Sequence, residues 1–173
     1  MRRGRDPYSL MAPPCRATPH PPKLRLGPSF SHKGRRSHAE RFLLTYLWIG
    51  IGGALGSMAR YGCSRLVAER IGETFPWGTL IINVLGSFVI GVFATLTMPD
   101  GRVQVAPDMR QFVIVGLCGG YTTFSSFSLQ TLNLVRAGDI IGAGLNIIGS
   151  VVLCLVAVWL GYLAAAAYNQ VRG

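Results

Sequence analysis

The residues best placed to do chemistry are the hydroxyls and phenyl rings of Thr122-Thr123-Phe124-Ser125-Ser126-Phe127-Ser128, which follow Gly119-Gly120-Tyr121 inside an apolar stretch. Glycine costs about 1 kcal/mol per helical position, so two glycines followed by two threonines are expected to interrupt a helix here. At membrane depth, irregular backbone leaves amides and carbonyls without water, at several kcal/mol each. Such a break persists where protein, a bound ion or trapped water satisfies those groups. Freed carbonyls suit cations, whereas freed amides and hydroxyls suit anions. Thr122 or Thr123 can cap a restarting helix, whose amino terminus favours negative charge. Phe124 and Phe127, three apart, share a face, and the positive edges of their rings can meet a small anion. Core packing is the plainer reading of such a pair; the neighbouring break favours an ion site or pore.

Other polar residues recur at helical spacing. Thr79, Asn83 and Ser87 follow one another every fourth residue, on one helix face. They read either as glue between helices or, as a stripe, as the lining of a pore. Gly142, Asn146, Ser150 and Cys154 repeat the interval and would line a path or seal a dimer contact. Gly52 with Gly56, and Gly53 with Ser57, make a flat face for close helix contact. Arg60 lies about 27 Å along a helix that starts at Phe42. It would either snorkel to the headgroups or concentrate anions at a vestibule.

Four apolar stretches must position these groups, at about Phe42–Val67, Gly78–Met98, Gln111–Val135 and Ile140–Ala166. Each reaches the roughly 20 residues that cross a bilayer. The expected fold is all-α, an integral membrane protein of four helices with a break in the third. Domain limits are expected at 1–41 for a tail, 42–168 for the membrane domain and 169–173 for a short end. The tail holds ten of the seventeen Lys and Arg and seven of the ten prolines, which suits disorder. Its charge does not by itself imply nucleic acid, and no nucleic-acid partner is expected. No apolar run precedes Phe42, so a signal peptide is not expected. Cys15, Cys63, Cys118 and Cys154 show no paired spacing and read as small packing residues.

No Asp, Glu or His falls within the four stretches. Proton-coupled carriers need an intramembrane group to hold the proton, so a passive route is favoured. A membrane-embedded enzyme would lack a base or ligand, and none is expected.

Three runs in order carry a family resemblance: Gly-Gly…Gly…Arg-Tyr within Gly52–Tyr61, Gly-Thr…Asn…Gly-Ser-Phe at Gly78–Phe88, and Gly-Gly-Tyr-Thr-Thr-Phe-Ser-Ser-Phe-Ser at Gly119–Ser128. Over about residues 44–166 the chain resembles the Fluc (CrcB) family of fluoride channels. The resemblance implies an antiparallel, dual-topology homodimer with two fluoride pathways in the cell membrane. It also implies a structural Na⁺ at the dimer centre, held by carbonyls that fall on Gly119 and Thr122. The ring pair falls on Phe124 and Phe127 and the pore asparagine on Asn83. Thr79, Thr123 and Ser125 match polar positions near the path, and Arg60 the arginine at the end of helix one. Gln130 stands where members often carry Glu, and Asn146 near a frequent Tyr.

The expected function is passive, fluoride-selective export that relieves fluoride toxicity. Fluoride enters as its neutral acid, dissociates inside, and is driven out by about 2.3 kcal/mol per 100 mV. The alternative, a small multidrug-type four-helix exporter, requires an acidic residue in helix one, and Phe42–Val67 has none. Lipid and a second subunit are the expected partners. The tail's basic residues favour a cytoplasmic amino terminus, so an oppositely oriented homologue is the alternative partner to a second copy.

Overall fold

The structure, a computed structural model, describes residues 38–171; the tail up to residue 37 and residues 172–173 lie outside the described residues. All regular structure among the described residues is helical. The elements are α1 (His38–Ile71), α2 (Trp77–Leu96), α3 (Pro107–Gln111), a π-helical segment (Phe112–Cys118), α4 (Gly119–Tyr121), α5 (Phe124–Arg136) and α6 (Ile140–Val171). Among the described residues, four spans are long and apolar enough to cross a membrane: Ala39–Ile71, Trp77–Leu96, Pro107–Arg136 and Ile140–Gln170. The third is composite, running from α3 to α5.

The junctions follow from local chemistry. Gly72 ends α1 at φ 93 and Gly138 follows α5 at φ 83, conformations that carry little cost without a Cβ. After α5 the Gly138 N–H donates to the Val135 carbonyl and the Asp139 N–H to that of Leu134, the paired closure of a Schellman end. Asp139 Oδ1 then accepts the Gly142 N–H at 2.7 Å, so the same short turn opens α6. Pro107 stands at the first position of α3, where its missing N–H costs nothing.

Small residues set the helix spacing. A Cβ on Gly52 would come within 2.6 Å of the Phe112 carbonyl oxygen, and one on Gly120 within 2.6 Å of that of Gly53. Gly56 lies directly under the Leu117 carbonyl oxygen. The flat face of α1 is therefore spent inside the subunit, against the π-helical segment and α4. Gly91 meets the Val158 carbonyl oxygen and Gly161 that of Phe88, which brings α2 and α6 into close contact. Edge-on, Trp48 meets Phe112 with centroids 5.9 Å apart.

Polarity runs inward. Thr79, Thr95, Thr97, Thr123, Asn146 and Ser150 are buried, whereas Ile141, Leu145, Ile148 and Leu155 on α6 are exposed. An apolar exterior around buried hydroxyls and amides suits lipid, where polar groups must find partners inside the protein. The chain is a multi-pass membrane protein.

Candidate functional site

The break in the third span falls on the threonines. Gly119 keeps helical dihedrals, φ −65 and ψ −35. Thr122 is extended at φ −82, ψ 157, and so is Thr123 at φ −153, ψ 113. The glycine pair does not break the helix; Gly120 is small because α1 passes against it at Gly53. Thr122 closes the first half, its N–H and its hydroxyl both donating to the Cys118 carbonyl at 2.9 and 3.0 Å. Thr123 opens the second half as its N-cap, Oγ1 accepting the Ser126 N–H at 3.2 Å.

Asn83 holds the break open. Its Oδ1 accepts the Thr123 N–H at 2.8 Å, and its Nδ2 donates to the Thr123 carbonyl at 3.1 Å. One side-chain amide thus serves both backbone groups of a buried, extended residue, as a neighbouring strand would. Across the break the carbonyls of Gly119, Gly120, Tyr121 and Thr122 all lose their ordinary helical donors. In a continuous helix the Thr123 N–H would bond the Gly119 carbonyl and the Ser126 N–H that of Thr122. Here the first goes to Asn83 and the second to the Thr123 hydroxyl. Of these carbonyls, that of Gly120 accepts the Ser57 hydroxyl at 3.4 Å instead, those of Gly119, Tyr121 and Thr122 have no donor among the described residues, and Gly119 is exposed on the subunit surface.

A cavity of about 460 Å³ opens at this point. Asn83, Ser87, Gly119, Thr122, Thr123, Phe124 and Phe127 line it, with Cys118, Ser150 and Cys154 on other walls and Ile90, Ile114, Val151 and Leu155 between them. Among the described residues, no charged side chain lines it. The rings of Phe124 and Phe127 lie 5.3 Å apart, tilted by 48°. Phe127 is 9% exposed and Phe124 77%, so one ring is fixed in the subunit and the other stands at its surface. Ser125 does not line the cavity; its hydroxyl lies 3.2 Å from that of Thr123.

A second cavity, about 410 Å³, lies where the end of α1, the start of α2 and the end of α5 meet. Thr79 lines it with Ser64, Glu73, Gln130 and Asn133. Gln130 Oε1 is buried there with no hydrogen-bond partner among the described residues. The α2 stripe therefore spans both cavities: Thr79 in one, Asn83 and Ser87 in the other. Arg60 lines neither cavity. It is half-buried, four residues after Gly56 on the face that meets Leu117. It does not stand at the end of α1, which continues eleven residues beyond it to Ile71.

Of the α6 stripe, Ser150 and Cys154 face the first cavity, while Asn146 is 2% exposed and donates to Thr131 Oγ1 at 2.8 Å. Sequence reasoning missed Thr131 as its partner; the only signal was that a buried asparagine needs one. It also missed the π-helical segment before the break, for which the apolar run Phe112–Cys118 carries no local mark.

Residues 47–162 match the family model described as CrcB-like protein, Camphor Resistance (CrcB). A curated relative from Opitutus terrae, named fluoride-specific ion channel FluC, is 62% identical over 128 residues, covering 74% of this chain and 97% of the relative. One of the same name from Rhodospirillum rubrum is 59% identical over 127 residues, 73% of this chain and 98% of the relative. A third, from Methylocella silvestris, is 59% identical over 130 residues, 75% of this chain and 99% of the relative. The matched residues hold the break, the asparagine that clamps it and the tilted ring pair, and the chain belongs to the CrcB-like family.

Proposed function

We propose that this protein is a passive, fluoride-selective channel of the cell membrane that exports cytoplasmic fluoride. The observation that carries the reading is the composition of the cavity at the break. Among the described residues it offers hydroxyls, one amide and two phenyl rings, and no carboxylate or imidazole that would bind a proton or trap an anion. Groups of this kind can replace part of the water around a small anion while leaving it free to depart. The relatives' shared name supports fluoride as that anion.

The conducting unit is an antiparallel dimer. Phe124 and Gly119, both at the break and both exposed on the single subunit, support a second subunit seated there. A structural Na⁺ at that contact is held by the Gly119 and Thr122 carbonyls. Their fit rests on the diverted N–H groups: carbonyl oxygens without donors are the ligands a hard cation takes. Bound there, the ion fixes the break and the subunit contact.

Reconstituted in liposomes, the full chain is expected to release fluoride on the order of a hundredfold faster than chloride, about 2.7 kcal/mol in barrier height. Comparable release of the two ions, followed with ion-selective electrodes, overturns the assignment.

The second subunit is a copy of this chain or an oppositely oriented homologue, and the charge count bears on which. Residues 1–41 hold ten Lys and Arg, against seven in all the rest. Basic residues near the first span keep that end cytoplasmic. Removing residues 1–40 is expected to change insertion from one orientation to a mixture of both. The readout is labelling from each side of a single cysteine introduced by Val103→Cys, an exposed site between α2 and α3, in a background without native cysteines. An even mixture in the full chain would remove any role for the tail and leave a homodimer without need of a partner.

A further inference from the structure

We propose that Asn146 and Thr131, which line neither of the two cavities described above, act as a positioning pair that sets the Phe124–Phe127 rings against the anion path. The proposal rests on the channel reading and concerns how α5 is held.

Among the described residues, α5 and its N-cap are tied to other helices by side-chain hydrogen bonds at two places. At the start, Asn83 of α2 grips the backbone of Thr123. Eight residues on, or about 12 Å along the axis, Asn146 Nδ2 of α6 donates to Thr131 Oγ1 at 2.8 Å. The two rings lie between these anchors. From the second anchor the chain of bonds runs back towards a ring, because the Thr131 hydroxyl itself donates to the Phe127 carbonyl at 2.8 Å. Behind Asn146, the Ser150 hydroxyl donates to its Oδ1 at 3.4 Å. Ser150 also lines the cavity, so the network starts at one wall of the path and ends on the backbone of the residue that carries another.

Burial explains why the link can hold a position. Asn146 is 2% exposed, so neither water nor lipid headgroups can replace Thr131 if the helices shift. A buried polar group that loses its partner bears the full desolvation cost. The α5–α6 register that keeps this bond is therefore strongly preferred. A carbonyl at the ring residue and a hydroxyl shared between two helices make the preference felt at Phe127. Apolar helix contacts alone, on a pair of surfaces that slide in lipid, lack that specificity.

The test uses the full chain in liposomes, with assembly checked by size-exclusion chromatography. Asn146→Leu and Thr131→Val are each expected to cut initial fluoride release about tenfold, or about 1.4 kcal/mol, and to raise chloride release relative to fluoride. Because both remove one link, the double variant is expected to be no worse than the worse single one. Thr131→Ser keeps the hydroxyl and is expected to retain fluoride release within about twofold. If Asn146→Leu does not assemble, Thr131→Val against Thr131→Ser decides alone. Unchanged release or selectivity in Thr131→Val overturns the proposal, and so does an equal loss in Thr131→Ser, which would point to packing. A parent protein that releases fluoride no faster than protein-free liposomes overturns the channel reading itself, before any variant is compared.

Discussion

Replacing Phe124 by Leu is expected to lower fluoride release by at least tenfold, with the folded protein and its assembly intact. The barrier change behind a factor of ten is about 1.4 kcal/mol, within reach of one lost contact between an anion and a ring edge. Phe124 is 77% exposed on the subunit, so its truncation leaves little internal void. Phe127 is the contrasting case. It is buried, and Phe127→Leu carries a packing cost of about 1–2 kcal/mol in addition. If the rings serve conduction, both variants lose flux, while thermal stability falls mainly for Phe127. If they serve packing, loss of flux tracks loss of stability, and Phe124→Leu conducts nearly as the parent. Efflux traces and melting curves on the same preparations separate the two.

The part of this site that sequence makes legible is the part governed by local chemistry. Threonine is a good N-cap and a poor mid-helix residue, so the restart at Thr122 or Thr123 can be placed to within one residue. Ring spacing in α5 and the four-residue intervals of α2 are properties of the helix itself. What stays hidden depends on which neighbour arrives. Gly119 and Gly120 read locally as helix breakers, yet they are helical, because the close approach of α1 at Gly53 accounts for Gly120 better than its propensity does. The α2 stripe reads as one face, but Thr79 and Asn83 face separate cavities, each lined by a different part of α5. The resemblance sets Arg60 at the end of the first helix, but α1 continues eleven residues beyond it to Ile71. For Asn146 the sequence offers a path or a dimer contact, and the bond to Thr131, fifteen residues earlier on another helix, is a contact inside the subunit that neither reading included.

Asn83→Leu is expected to remove fluoride release almost entirely, by about a hundredfold or more. Leucine keeps the volume and loses both hydrogen bonds. Thr123 is 8% exposed, so its N–H and carbonyl are then left without partners, at about 1–3 kcal/mol each. The nearest relief is the ordinary helical bond from the Thr123 N–H to the Gly119 carbonyl. That rearrangement closes the break, turns Thr123 and its hydroxyl away from the cavity and takes back a carbonyl proposed for Na⁺. A single substitution thus acts on the anion path and on the cation together. Asn83→Asp distinguishes the clamp from mere polarity. It retains an acceptor for the Thr123 N–H, but sets a carboxylate against the Thr123 carbonyl and adds a negative charge beside an anion path. It is expected to be as inactive as Asn83→Leu. Efflux is measured with dimer content on the same samples, and with tight Na⁺ retention after desalting. Release above about half the parent's rate in Asn83→Leu would show that the break stands without its clamp, and that Asn83 is helix–helix glue.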